Sequence, residues 1–194
     1  MAQKLGERHQ LQVYHYDRRD AAHHEQLATT IPAYRAFLDA SLDECWVYPE
    51  PEDLLQRSLQ SFRDRFALVI DDLLAFPNDP RIVAEGFGLL PELLAPVLSR
   101  PSQAIWLVPT EEFKWASMTR RGKPSFGPQT SNPQKAKTNL FERDMLLAAY
   151  LKEQATRYAC SVVEVDDSRT ADEMTDRIEQ HFALELPIEM ARRI

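Results

Sequence analysis

The sequence predicts an α/β domain, a three-layer α/β/α sandwich with a mostly parallel sheet. Three observations predict it. Short apolar runs alternate along the chain with helical stripes, the order that parallel β-α-β units require. One run, Ile82-Val83-Ala84-Glu85, delivers a carboxylate into the glycine turn Gly86-Phe87-Gly88. Another, Val162-Val163-Glu164-Val165, runs through Asp166-Asp167-Ser168-Arg169 to Thr170, which has capping-box spacing to Glu173 and opens a helix.

Each element has its own local reason. Residues 1–9 read as the tail of a helix with Gly6 near its end, followed by a short strand over 11–16 that stops at Asp17. Pro32 opens a helix carrying Tyr34, Phe37, Leu38, Leu42 and Trp46 at spacings of mostly three and four. Pro51 stands at a first helical position, with Glu52 and Asp53 where the helix dipole favours acids. The apolar stripe that follows runs from Leu54 to Leu74 and should stop near Phe76-Pro77, since proline disfavours helix at the residue before it. A strand over 81–85 precedes a short amphipathic helix over 89–98. Ala104-Ile105-Trp106-Leu107-Val108-Pro109-Thr110 is a third buried strand, and Thr110 caps a helix to about Arg121. Residues 122–133 are rich in glycine, proline, serine and asparagine, so a mobile loop is expected there. Residues 140–158 form an apolar-faced helix, and the last helix runs to about Phe182. Four strands with no repeat and no linker make residues 1–194 a single domain, with a basic segment over 114–143.

Composition narrows the function classes. A chain of 194 residues is large enough to bury a core, and 44% hydrophobic with 27% charged content is ordinary for a soluble protein. No apolar run approaches a membrane span, and residues 1–8 lack the apolar core of a signal peptide. Cys45 and Cys160 lie far apart without C-x-x-C spacing, which reads as reduced, buried thiols; the expected location is the cytoplasm. Net charge is −7, which argues against nucleic acid as a partner. Lys114, Arg120, Arg121, Lys123, Lys135, Lys137 and Arg143, with Glu142 the one acid among them, give 114–143 a charge of +6. The remainder carries −13, so the island suits a small polyanion; the bland alternative is a solvated basic loop.

The order of parts resembles the P-loop small-molecule kinases, the group that includes nucleoside monophosphate kinases and shikimate kinase, from residue 1 to about residue 183. Leu5-Gly6-Glu7-Arg8-His9 before Val13-Tyr14-His15-Tyr16-Asp17 looks like the end of that family's first helix running into its second strand. Yet no G-x-x-x-x-G-K-[ST] loop occurs in the 194 residues. The nearest decoy, Ser117 through Gly122-Lys123-Pro124, lacks the first glycine and has proline in place of the hydroxyl residue. In the family the strand before that loop is central, between the strands matching 81–85 and Ile105–Pro109 here. The resemblance therefore implies a P-loop-kinase-like domain with its first, central strand missing. The expectation is a chain truncated at its N-terminus by roughly 15–20 residues, a strand plus a loop.

The resemblance implies an ATP-dependent phosphotransferase using Mg²⁺, with a small-molecule phosphate acceptor, impaired in this chain. Glu85 would hold Mg²⁺ through water or take the acceptor's proton, and Gly86 and Gly88 would let backbone approach the acceptor. Asp17 would be the base or acceptor anchor; a turn or cap residue is the plain alternative. Arg120, Arg121 and Arg143 match lid arginines that stabilise the transferring phosphoryl group. For Arg143 an ion pair with its neighbour Asp144 competes. Asp167, Ser168 and Arg169 match the adenine-side loop, although a capped helix start explains them already. Trp106 and Trp115 read as core or lid packing. His15, His23 and His24 with Asp17, Asp20 and Glu25 lack metal-ligand spacing and read as solvated polar residues or acceptor contacts. A metal-dependent hydrolase would be built on them. The rival of another class is a non-catalytic protein that keeps the fold to bind a partner or a phosphorylated ligand, with the gap left by the missing strand open to another chain or to a second copy.

Overall fold

The computed structural model describes residues 1–120 and 129–184, in which helices alternate with four short strands. The basic residues Arg121 and Lys123, and most of the segment expected to be a loop, lie outside the described residues. Helix α1 (Ala2–His9) ends at Gln10 in a left-handed conformation whose N–H reaches back to Gly6 O. Strand β1 (Gln12–His15) then leads through a 3₁₀ turn (Tyr16–Arg19) into α2 (Asp20–Ala28). The helix expected from Pro32 is two helices, α3 (Pro32–Asp39) and α4 (Leu42–Trp46). Ser41 divides them: its backbone is extended, and its side chain makes a reciprocal capping box with Glu44.

Helix α5 (Pro51–Leu74) is the longest of the first half and buries Leu54, Leu55, Leu59, Phe62 and Val69 in one stripe. Strand β2 (Ile82–Glu85) follows, then the short α6 (Pro91–Leu94), β3 (Ile105–Pro109) and α7 (Glu111–Arg120). Helix α8 (Pro133–Arg157) begins earlier than expected, because Asn132 accepts from Lys135 N–H and Pro133 stands at the first position. Strand β4 (Ser161–Val165) and α9 (Ala171–Phe182), capped by Thr170 and Glu173, complete the described chain.

The four strands form two separate parallel pairs, β1 with β2 and β3 with β4. His15 stands opposite Glu85 at the end of the first pair, and Pro109 opposite Val165 at the end of the second. A ladder needs backbones about 4.8 Å apart, and among the described residues none joins β2 to β3.

Two apolar clusters nevertheless take side chains from both pairs. The larger joins Tyr14, Tyr16 and Ile82 of the first half to Trp106, Val108 and Val162 of the second, against α5, α6 and α8. The smaller joins Val83 to Ile105, Leu107, Val163 and Val165, under Leu5 of α1 and Met174 and Ile178 of α9. Trp106 is buried and donates to Leu89 O at 2.9 Å, as core packing requires. No described helix is long and apolar enough to cross a membrane. Cys45 and Cys160 are free thiols, each only half-buried where the sequence reading expected buried ones.

Candidate functional site

The carboxyl ends of β1 and β2 gather several charged side chains. Parallel register puts His15 and Glu85 side by side, and His15 Nδ1 lies 2.5 Å from Glu85 Oε1. Two residues beyond His15, Asp17 lies in the first turn of the 3₁₀ segment. Its side chain reaches the surface, yet local burial, then the charges of Glu85 and Asp20, raise its pKa above the usual carboxylate value. Asp17, Glu85, Gly86 and Gly88 thus share one end of the β1–β2 pair.

The glycines there have a reason that the sequence did not reveal. Gly86 has φ 150°, and a Cβ on it would stand 2.2 Å from Tyr16 Cβ. A Cβ on Gly88 would stand 2.2 Å from Tyr16 Cζ. The turn is glycine-rich because Tyr16, 1% exposed, fills the space beneath it. The aromatic set closes with Phe62 and Phe87 edge-on to Tyr16.

Below the turn lies a buried ionic layer that sequence reasoning missed. Arg65 of α5 is 1% exposed, stacks on the Tyr16 ring at 4.3 Å and pairs with Asp20 at the start of α2. His24 Nδ1 lies 3.2 Å from the other Asp20 oxygen, and His24 Nε2 lies 3.0 Å from Ser61 Oγ. Burial opposes ionisation of Asp20, but His24 and Arg65 outweigh it and hold its pKa below the ordinary value. Asp72, also on α5, accepts from Tyr14 Oη at 3.0 Å and from Arg19 Nε at 2.8 Å, and lies 3.0 Å from His23 Nε2. His23 and His24 are therefore buried partners of carboxylates, which corrects their reading as solvated residues. Their sequence signal was the period: one turn of α2 brings His24 over Asp20. Among the described residues no group of three or more His, Cys, Asp or Glu side chains is arranged to hold a metal ion.

The other predicted residues form a second group. Arg120 at the end of α7 reaches Asp167 at 3.5 Å, both side chains being more than 60% exposed. Ser168 N–H and Oγ both donate to Asp166, which closes the turn after β4, and Arg169 is exposed. Arg121 lies outside the described residues. Arg143 of α8 is buried against α5: it donates to Ser58 Oγ at 2.9 Å, pairs with Asp144 at 2.9 Å and lies over the Trp46 ring. Lys114 shares the same Asp144. Trp115 is exposed and packs edge-on against Phe141. No hydrogen bond or ion pair joins Asp17 or Glu85 to Arg120, Asp167, Ser168 or Arg169 among the described residues.

Helix α1 belongs to both groups. Its C-terminal end feeds β1, so its start opens on the edge where the strands end, about 12 Å away. Along its length Lys4, near the start, and Arg8, in the last turn, pair with Asp172, Asp176 and Glu179 of α9. Comparison with protein-family models, with curated protein sequences and with solved structures found no match to this chain.

Proposed function

We propose that this chain is the body of a P-loop small-molecule kinase, a three-layer α/β/α domain performing ATP-dependent phosphoryl transfer to a small-molecule acceptor. The observation that carries the reading is where the parallel strands part: between β2 and β3, the neighbours of the family's central strand. Both pairs share the same two apolar clusters, so one further apolar strand between them would make a continuous sheet. A loop leaving that strand would meet the start of α1, where backbone N–H groups favour phosphate.

In this reading Asp17, Glu85 and the Gly86–Gly88 turn face the acceptor. Arg120, with Arg121, bears on the transferring phosphoryl group, and Asp167, Ser168 and Arg169 border the adenine. Mg²⁺ would enter with ATP, held by its phosphates. This chain without a phosphate loop is impaired, since holding the β- and γ-phosphates is most of what such enzymes do.

The test is a fusion of an apolar strand and a G-x-x-x-x-G-K-[ST] loop ahead of Met1. We expect the fusion to bind ATP and to form ADP with some acceptor of a broad hydroxyl-compound panel, with the unfused chain at background. A folded fusion that neither binds ATP nor turns it over sinks the reading.

One observation favours a second reading. Arg143, the lid arginine of α8, is engaged by Ser58, Asp144 and Trp46. A non-catalytic protein that accepts a strand of another chain, or of a second copy, between β2 and β3 accounts for that. A mass in solution that rises with concentration, without nucleotide binding, would support it.

A further inference from the structure

Glu85 and Asp17 are the carboxylates that the kinase reading sets against the acceptor, but Glu85 is already engaged. Its Oε1 lies 2.5 Å from His15 Nδ1, and a carboxylate only accepts, so the proton of that bond is on Nδ1. A neutral imidazole carrying its proton on Nδ1 leaves Nε2 as a bare base. His15 Nε2 has no protein partner among the described residues, and the side chain is 17% exposed. His15 also lines an open cleft of about 650 Å³ along β1, together with Tyr14, Arg18, Arg19, Asp72 and Phe76. A histidine held at one nitrogen by a carboxylate and open at the other is the arrangement of a general base with its orienting partner.

We propose that His15 is the proton acceptor of the transfer and that Glu85 is its orienting partner. This rests on the kinase reading and deepens it. As the acceptor O–H bond breaks, its proton passes to His15 Nε2. The oxygen forms its bond to the γ-phosphorus of ATP, while the bond from that phosphorus to the β-phosphate oxygen breaks and ADP leaves with the electron pair. The imidazolium is stabilised by Glu85 until its proton returns to solvent. Asp17 then anchors the acceptor through a second polar group, because the one proton of the reacting hydroxyl is committed to His15 Nε2.

Two measurements test the assignment. The first uses the chain as it stands: long-range ¹H–¹⁵N spectra of the imidazole at neutral pH. The expected result is a proton on His15 Nδ1 and none on Nε2, with exchange between the two nitrogens in Glu85→Gln. A proton on Nε2 overturns the proposal whether or not the fusion is an enzyme. The second uses the loop-bearing fusion. His15→Asn keeps a donor near the Nδ1 position and removes the base, so turnover should fall by about 10²–10⁴-fold with ATP affinity unchanged. A His15 that only fixes Glu85 would be rescued by asparagine, and retained turnover in that variant overturns the proposal. A fusion without turnover in any form counts against the kinase reading instead, and the tautomer measurement then decides His15.

Discussion

The two strand pairs have the same parallel geometry and the same length class, yet they end differently. The β1–β2 pair ends over buried charge: Arg65 is 1% exposed and His23 2% exposed, with Asp20 and Asp72 as their carboxylate partners. The β3–β4 pair ends in caps and solvated ion pairs: Thr110 at α7, the Asp166–Ser168 turn, Thr170 with Glu173, and Arg120 with Asp167. The difference shows where electrostatics is strong in this fold. Charges in solvent cost and contribute little, whereas buried ones are fixed by their partners and impose fixed fields on their neighbours.

If that contrast is right, the largest single effect comes from unpairing the buried arginine. Asp20→Ala leaves Arg65 without its carboxylate, and we expect a loss of about 3–5 kcal/mol in urea unfolding. An unchanged midpoint would mean that the Arg65 charge is stabilised elsewhere and would erase the distinction between the halves. Next is the turn. Gly88→Ala drives a methyl into the Tyr16 ring, and a cost of about 1–3 kcal/mol is expected. Combining it with Tyr16→Leu should recover part of the loss, because the clash is with that ring; strict additivity would say otherwise.

On the β4 side the expected effects are smaller. Thr170→Ala removes one capping bond from α9 and should cost about 1 kcal/mol by thermal or urea unfolding. A cost as large as that of Asp20→Ala would show that the exposed half is as tightly determined as the buried one.

The smallest effects are the most diagnostic, because two aspartates of the first half should respond with opposite sign. At Asp72 burial opposes ionisation, but Arg19, Tyr14 and His23 outweigh it and depress the pKa. Its contribution is present above the ordinary carboxylate value and is lost as pH falls through the depressed folded value. At Asp17 burial, Glu85 and Asp20 raise the pKa, so ionised Asp17 opposes folding at neutral pH and ceases to do so below the ordinary value. Asp17→Asn should therefore stabilise the protein at pH 7, and Asp72→Asn should destabilise it. Both differences should shrink in urea unfolding at pH 3. Matching signs at pH 7 would refute the electrostatic account of this edge.

Much of the fold was legible along the chain. All four strands, the proline-opened α5 and the Thr170 cap follow from apolar runs and local capping, which depend on neighbours within a few residues. The two departures among the helices are local as well. Ser41 competes for the backbone and splits the helix from Pro32, and Asn132-Pro133 starts α8 a turn and more before its apolar face. The placement of the candidate residues was legible in part: Asp17, Glu85 and the glycine turn follow the ends of β1 and β2, because a parallel sheet aligns its ends on one edge.

What only the tertiary structure decided are pairings between residues far apart in sequence. His15 meets Glu85 across 70 positions, Arg65 meets Asp20 across 45, and Arg143 meets Ser58 across 85. Tyr16 explains Gly86 and Gly88 in the same way. By itself the sequence determined which segments become helix or strand, because hydrophobic period and caps act over one or two turns. Which charges are buried, and against what, was settled only when packing brought distant elements together, since a charge leaves water only for a partner that the fold supplies.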